Sequence, residues 1–190
     1  DKMWGNNDQK FAQCKALYLY MMTHPGKKLN FMGNELAEYK EWDEKKALGW
    51  VLLKYPQHDS FHRYFRDLNH LVLKHPALYQ YDYYPEGFEW LVVDDYNQSV
   101  FAYARKAPDG DLLVCVMNFV GNTHKGYRIP VPVAGTYKEI MNTDTDYYTG
   151  SNFVNKRAIK SQKVVCLGKE NSILVDIAPF SGMIFMLKGK

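Results

Sequence analysis

Cysteine is scarce in this chain: 190 residues contain three, at Cys14, Cys115 and Cys166. They form no Cys-x-x-Cys pair, so neither a disulfide framework nor a zinc site is indicated, and buried reduced thiols of an intracellular protein are favoured. No apolar run is long enough to cross a bilayer, and the first residues lack the pattern of a signal peptide. The sequence therefore predicts a cytoplasmic globular protein.

A strong charge of one sign is also missing. The formal net charge is +3, with 24 Lys and Arg interspersed among 21 Asp and Glu, so no nucleic-acid or membrane partner is predicted. A Gly-rich phosphate loop, a GxSxG elbow and an HExxH motif are absent. His58 and His62 have the i, i+4 spacing of a metal pair, but without further ligands surface histidines are favoured. We predict no metal and no cofactor.

What is present begins with the predicted strand at residues 28–32, in which Leu29 to Met32 form a short and almost wholly apolar run. Such a run is typical of a strand buried on both faces, as in a parallel sheet. Gly33 ends it, and Asn34, Glu35 and Glu38 follow directly. A buried strand that opens into a carboxylate-bearing loop is how a (β/α) barrel presents its active-site face. One strand cannot build a barrel, however, and the rest of the chain does not supply seven more.

Helical patterns flank this run. Residues 6–8 predict an N-cap for a helix with apolar residues at helical spacing from Phe11 to Met21, and His24 to Gly26 end it. Residues 44–53 predict a short helix, and Asp59 and Ser60 predict the cap of a strong amphipathic helix that ends at His75. A beginning at Asp1 rather than Met favours a piece of a longer protein.

After Pro76 the periodicity changes to short β-rich runs separated by turn residues. Eight strands are predicted at residues 88–94, 100–106, 112–119, 127–131, 137–142, 164–167, 173–177 and 182–187. A Pro-Asp-Gly hairpin turn is predicted at Pro108 to Gly110. The fold class is therefore mixed: residues 1–75 are the remnant of the last α/β units of a (β/α)₈ barrel, and residues 76–190 are an all-β antiparallel sandwich.

A dense carboxylate cluster follows the predicted strand and consists of Glu35, Glu38, Glu41 and Asp43. Two of them could be the pair that glycoside chemistry requires. Alternatively, the loop is solvated and Glu35 makes structural hydrogen bonds, or the loop lines a substrate cleft without breaking bonds.

Trp42 and Tyr39 are the candidates for sugar contact, because an aromatic ring offers a flat apolar face to the C–H side of a pyranose. The alternative is that Trp42 packs over the end of the strand. Trp50 and Trp90 lie in apolar runs and are predicted to be core residues.

Several motifs together resemble the C-terminal third of the glycogen (1,4-α-glucan) branching enzymes of the α-amylase superfamily. They are residues 27–36, 41–43, 66–69, 85–90, 116–119, 127–132, 135–144 and 150–152. The resemblance covers nearly the whole chain in order. It implies the last barrel helices, the eighth barrel strand at residues 28–32 and a C-terminal β-sandwich.

The resemblance also implies a parent enzyme that cleaves α-1,4 links and transfers the chain to form α-1,6 branches on an α-glucan. The family's nucleophile, acid/base and stabilising carboxylate belong to earlier strands, so no catalytic residue is carried over and the chain by itself is expected to be inactive. Glu35 matches the motif after strand eight that helps to shape the cleft. The substrate-binding candidates are therefore Glu35, Tyr39 and Trp42.

Two other functions stay open. The chain could be a stand-alone carbohydrate-binding module, with Trp90, Tyr83, Tyr103 or Trp42 as its platform. It could also be the equivalent piece of a trehalose-releasing or debranching hydrolase. In each case the barrel segments lack partners, so we expect them to fold back on the β-domain or to pair with another copy as a homodimer.

Overall fold

A computed structural model of the chain describes residues 3–188. Two α-helices precede an antiparallel β-domain, and short 3₁₀ turns connect them. The helices are α1 (Asn7–Thr23) and α2 (Pro56–Lys74). The strands are β1 (Phe88–Asp95), β2 (Val100–Lys106), β3 (Leu112–Asn118), β4 (His124–Val131), β5 (Thr136–Asn142), β6 (Ile159–Lys160), β7 (Asn171–Ile177) and β8 (Ser181–Leu187).

Both helices begin where local chemistry provides a start. Asn6 forms a reciprocal capping box with Gln9, with N–O distances of 3.0 and 2.9 Å, which confirms the predicted start of α1. The prediction that Asp59 and Ser60 cap α2 is wrong. The helix begins three residues earlier at Pro56, since a proline at the first helical position already has the helical φ and needs no intrahelical N–H partner.

The strands form two sheets packed face to face. The larger has the order β1-β2-β3-β8-β5-β6, and the smaller pairs β4 with β7. Side chains of β3 alternate between two cores: Leu113 and Cys115 pack toward the helices, whereas Val114 and Val116 pack toward the small sheet. The molecule thus has three layers, with the helices and the small sheet on opposite faces of the six-stranded sheet. The predicted antiparallel sandwich is confirmed.

The prediction of an eighth barrel strand is wrong, because residues 28–32 form no strand in the described part of the chain. Leu29 is 73% exposed and Phe31 is 47% exposed. Met32 (φ 33°) and Gly33 (φ 88°) then turn the chain in the left-handed region. A strand is stable only when neighbouring strands satisfy its N–H and C=O groups, and a single barrel strand has no such neighbours here.

Seven of the eight predicted β-strands are confirmed, and residues 164–167 are the exception. These residues form a tight exposed turn closed by a bridge between Cys166 and Lys169, with Leu167 at φ 43°. The two-residue strand β6 was not predicted. The hairpin between β2 and β3 is confirmed: Gly110 has φ 91°, and the Ala107 N–H donates to the Asp111 carbonyl at 3.0 Å.

Two predictions about tryptophans and one about a helix are wrong. Trp50 is 55% exposed and Trp90 is 41% exposed, so neither is a core residue. Trp90 lies on β1, which is an edge strand of the sheet and is therefore open on one side. Of the helix predicted at residues 44–53, only the 3₁₀ turn Trp50–Lys54 forms, because Gly49 disfavours a helical backbone.

Arg105 joins the helices to the β-domain. Its side chain is fully buried on β2, and it donates to the carbonyl oxygens of Thr23 and Gly87 and to the carboxylate of Asp82. The end of α1, the connector and the sheet are therefore linked at one point. Because the helices and the sheet share one apolar core, the division into residues 1–75 and 76–190 stays a prediction.

Candidate functional site

The candidate site is the loop of residues 33–49, which is anchored on α2. A 3₁₀ turn, Asn34–Leu36, buries the Leu36 side chain completely. The buried His58 ring donates from Nδ1–H to the Leu36 carbonyl oxygen at 2.7 Å. His58 is thus committed to holding the loop. Within residues 3–188 no group of three or more His, Cys, Asp and Glu side chains is placed to hold a metal ion.

Glu38 closes the loop on itself. Its Oε1 accepts a hydrogen bond from the Gly49 N–H at 2.5 Å. A Cβ at Gly49 would lie 2.9 Å from that oxygen, so a larger residue here would require the Glu38 carboxylate to shift. The closure forms a cleft of about 400 Å³. The cleft is lined by Met32, Glu38, Lys40, Glu41, Trp42, Asp43, Lys46, Ala47, Leu48 and Gly49.

Trp42 is the aromatic side chain of this cleft. It is 56% exposed, and the edge of one ring faces the other in its contact with Phe31, with centroids 5.4 Å apart and an interplanar angle of 82°. The contact holds the indole while leaving apolar ring surface open to solvent. Trp42 thus packs on Phe31 of the predicted strand segment and is also exposed, and its role in binding stays a prediction.

Tyr39 and Glu35 lie outside this cleft. The Tyr39 hydroxyl donates to Asn7 Oδ1 at 2.9 Å, and its ring packs edge-on against His58 with centroids 5.1 Å apart. Glu35 accepts from Asn30 Nδ2 at 2.8 Å. The structure thus does not bring the three predicted binding residues around one cavity, and their roles stay predictions.

Two carboxylates of the loop have defined partners. Asp43 pairs with Lys46 Nζ at 2.8 Å and accepts from the Lys45 N–H at 3.0 Å. These two hydrogen bonds lower the pKa of Asp43. A glycosidic acid needs the opposite, a carboxyl group whose pKa is raised so that it holds a proton near neutral pH. The ion pair and the loop-closing role of Glu38 indicate a structured, polar cleft wall.

Three residues that line this cleft were not identified from the sequence. They are Lys40, Lys46 and Gly49. Among the alternative sugar platforms, Tyr83 is 76% exposed, whereas Tyr103 is fully buried and is excluded. The Tyr103 hydroxyl shares a hydrogen bond of 2.6 Å with Thr23 Oγ1, and burial raises its pKa well above the usual value. The signal in the sequence was that Tyr103 lies in the middle of a predicted strand, where alternate side chains face a core.

Comparison with known proteins finds the same architecture. The family described as "Alpha amylase, C-terminal all-beta domain" matches residues 90–188. The chain is 43% identical over 184 residues, 97% of its length, to a 1,4-alpha-glucan branching enzyme GlgB of Methylobacillus flagellatus. It is 42% identical over 98% of its length to the branching enzyme GlgB of Nitrosococcus oceani. In both cases it spans about a quarter (25%) of the relative's length.

The fold is also found in a solved structure. The catalytic module of the glycogen-degrading pneumococcal virulence factor SpuA matches 97% of this chain over 32% of its own, with a TM-score of 0.63 and 11% identity. This likeness concerns the fold alone. Among the described residues, neither helix is long and apolar enough to cross a membrane. With more than half of its residues matched, the chain belongs to the family of α-amylase C-terminal all-β domains.

Proposed function

We propose that this chain is the C-terminal quarter of a 1,4-α-glucan branching enzyme. The parent enzyme cleaves an α-1,4 link and transfers the released chain to form an α-1,6 branch. The observation that carries the proposal is similarity over nearly the whole chain, 43% identity across 97% of its length, to a curated branching enzyme. That range includes the helical part before residue 90, which the domain family itself does not cover.

Within the parent, this part has two tasks. The β-domain supports the catalytic barrel through the shared core and Arg105, and the loop of residues 33–49 forms one wall of the α-glucan cleft. Trp42 stacks on a glucose ring, and the polar lining offers hydrogen bonds to its hydroxyl groups. Glu35 and Tyr39 brace the loop from outside the cleft and shape it indirectly.

The chain by itself has no branching activity. Retaining glycoside chemistry needs a carboxylate nucleophile and a protonated partner about 5–5.5 Å away. Of the loop carboxylates, Glu38 closes the loop and Asp43 forms an ion pair with Lys46. Amylose incubated with residues 1–190 should keep its full iodine stain. The parent acts in the cytoplasm, which the three free thiols support.

A chimera tests the proposal. This chain replaces the matching quarter of the Methylobacillus flagellatus branching enzyme, and branching of amylose is followed by loss of iodine stain. We expect the chimera to branch. In the chimera, Trp42→Ala should raise KM about twofold to tenfold, as the loss of one aromatic contact worth about 0.5–1.5 kcal/mol predicts. Tyr96→Ala, an exposed aromatic change in the β-domain, is the matched control and should change nothing. A folded chimera without activity contradicts the proposal.

A further inference from the structure

The β-domain contains a second cleft that shares no lining residue with the loop of residues 33–49. It has a volume of about 620 Å³ and lies between the end of β1, the start of β4 and the turn around Leu167. Its polar wall consists of Asp94, Asp95, Gln98, His124, Tyr127 and Arg128. Of these six residues, Tyr127 packs against the apolar core between the two sheets, whereas the other five are not part of that core.

The polar wall is held in place before any ligand arrives. Asp95 Oδ2 accepts from the Tyr127 hydroxyl at 2.5 Å and from Gln98 Nε2 at 3.0 Å. On the other side, Arg128 Nη1 donates to Ser172 Oγ at 2.8 Å. Because the bonds from Asp95 join β1 to β4, the cleft bridges the two sheets. Side chains fixed in this way lose little conformational freedom when a ligand binds.

Other groups in the wall are available for a ligand. Among the described residues, Asp94 and Lys125 have no side-chain hydrogen bond or ion pair, and both are exposed. His124 Nε2 is buried without a hydrogen-bond partner, which is rare for a polar atom. His124 also precedes an interruption of the β4–β7 pairing, and such bulges commonly re-aim side chains near functional sites.

The charges of the cleft select a ligand class. Asp94 and Asp95 are balanced by Lys125 and Arg128, so neither an anion nor a cation is favoured over the other. The remaining groups, an amide, an imidazole and a half-buried phenol ring, are suited to hydroxyl groups and to the C–H face of a ring. The matching ligand is an uncharged polyhydroxyl chain.

We propose that this cleft binds a segment of α-glucan as a second site. The choice of α-glucan among uncharged polyhydroxyl chains rests on the proposed function. Gln98 and Asp94 bind sugar hydroxyl groups, and the Tyr127 ring packs on a glucose unit. A distant contact of this kind holds a long chain on the protein and raises its effective concentration at the first cleft.

Titration with maltoheptaose tests the site directly. The isotope-labelled chain of 190 residues is followed by NMR, and we expect the amide signals of Gln98, Gly126 and Tyr127 to shift on titration. Inorganic phosphate and magnesium chloride, used as separate probes, should leave them unchanged. Shifts confined to residues 33–49, or shifts of the cleft signals caused by phosphate, would overturn the proposal.

Calorimetry with variants gives the second measurement. The double variant Asp94→Ala with Gln98→Ala should weaken maltoheptaose binding at this cleft about tenfold, as two lost hydrogen bonds predict. Asn97→Ala, exposed in the same turn but outside the lining, should bind like the wild type. Trp42→Ala should also leave this site intact. Unchanged affinity in the double variant contradicts the proposal.

The two proposals can fail separately. An active chimera whose β-domain cleft does not respond to maltoheptaose overturns only the second site. A cleft that binds maltoheptaose in a chain whose folded chimera does not branch overturns only the proposed parent enzyme.

Discussion

Two short segments that both predict buried strands end in opposite environments. Residues 28–32 and the strand β3, Leu112–Asn118, are both rich in apolar residues, which is typical of buried strands. Every residue of β3 is buried, since β2 and β8 pair with both of its edges. In contrast, Leu29 is 73% exposed and no strand pairs with its segment. An apolar run thus becomes a strand only where neighbours complete its hydrogen bonds and cover its faces.

The same contrast separates the two parts of the molecule. The β-domain and the two helices enclose apolar cores, whereas residues 29–55 present a series of large exposed apolar side chains. These are Leu29, Phe31, Tyr39, Trp42, Trp50, Val51 and Tyr55. Monomeric proteins rarely leave large apolar patches uncovered. The exposed segment is therefore the surface that we expect the remainder of the proposed parent enzyme to cover.

The largest loss of stability is expected from removal of the buried charge that links the helices to the β-domain. Arg105→Ala removes a fully buried guanidinium that three acceptors share, and it leaves Asp82 with only the longer ion pair to Lys28 Nζ at 3.9 Å. We expect the free energy of unfolding to fall by about 3–5 kcal/mol, measured by urea denaturation. Arg157→Ala, at an exposed position, is the control. A loss below about 1 kcal/mol would show that Arg105 does not join the helices to the sheet.

A matched pair of leucines tests the contrast itself. Leu113→Ala on β3 should cost about 2–5 kcal/mol of unfolding free energy, because the side chain is fully buried. Leu29→Ala should change it by less than about 0.5 kcal/mol, as for an ordinary surface position. Equal costs in chemical denaturation would mean that residues 28–32 are packed in solution, contrary to the structure.

The buried side chain of Lys15 makes the folding stability of the helical part depend on pH. Its ammonium group is buried beside the carbonyl of Tyr148 at 2.7 Å, and desolvation lowers its pKa to about 8, with Asp144 acting in the opposite direction. The unfolded chain therefore binds more protons than the folded chain between pH 8 and about 10.5. Folding stability from this group must rise with pH across that window, by up to about 3 kcal/mol.

Lys15→Met isolates this contribution. The variant should be as stable as the wild type or more stable at pH 7, because Thr149 Oγ1 still donates to the Tyr148 carbonyl. Burial raises the pKa of Cys14 and Cys115 to about 12, which lowers stability above pH 9 in both proteins. The difference between wild type and variant cancels that effect. A difference that stays constant from pH 7 to pH 10 would contradict the assignment.

The smallest effect concerns self-association of the exposed segment. The helices pack on the β-domain, and residues 29–55 are the exposed apolar segment that we expect to pair with a second copy. We expect light scattering to show a weak dimer whose fraction rises with protein concentration. Phe31→Ser should reduce that fraction, and Tyr96→Ser, exposed on the β-domain, should not. A monomer at all concentrations would show that the exposed segment does not self-associate.

Sequence reasoning succeeded where a pattern depends on near neighbours in the chain. The capping box at Asn6, the Pro-Asp-Gly hairpin and seven of the strands follow from local turn chemistry and alternation. It failed where exposure depends on distant neighbours. Trp50 and Trp90 look like core residues in sequence but are 55% and 41% exposed, and Tyr103 looks like a possible platform but is buried.

The amino-acid sequence by itself determined the family, through motifs that match in order along the chain. It also determined both α-helices, seven of the strands and the candidate aromatic and acidic residues of the loop, through periodicity and local turn chemistry. Only the tertiary structure decided which apolar runs are covered. It separated Trp42 from Tyr39 and Glu35, joined the helices to the sheet through Arg105 and formed the cleft beside Tyr127. The reason is that burial and hydrogen-bond satisfaction belong to pairs of segments far apart in the chain, which no local pattern specifies.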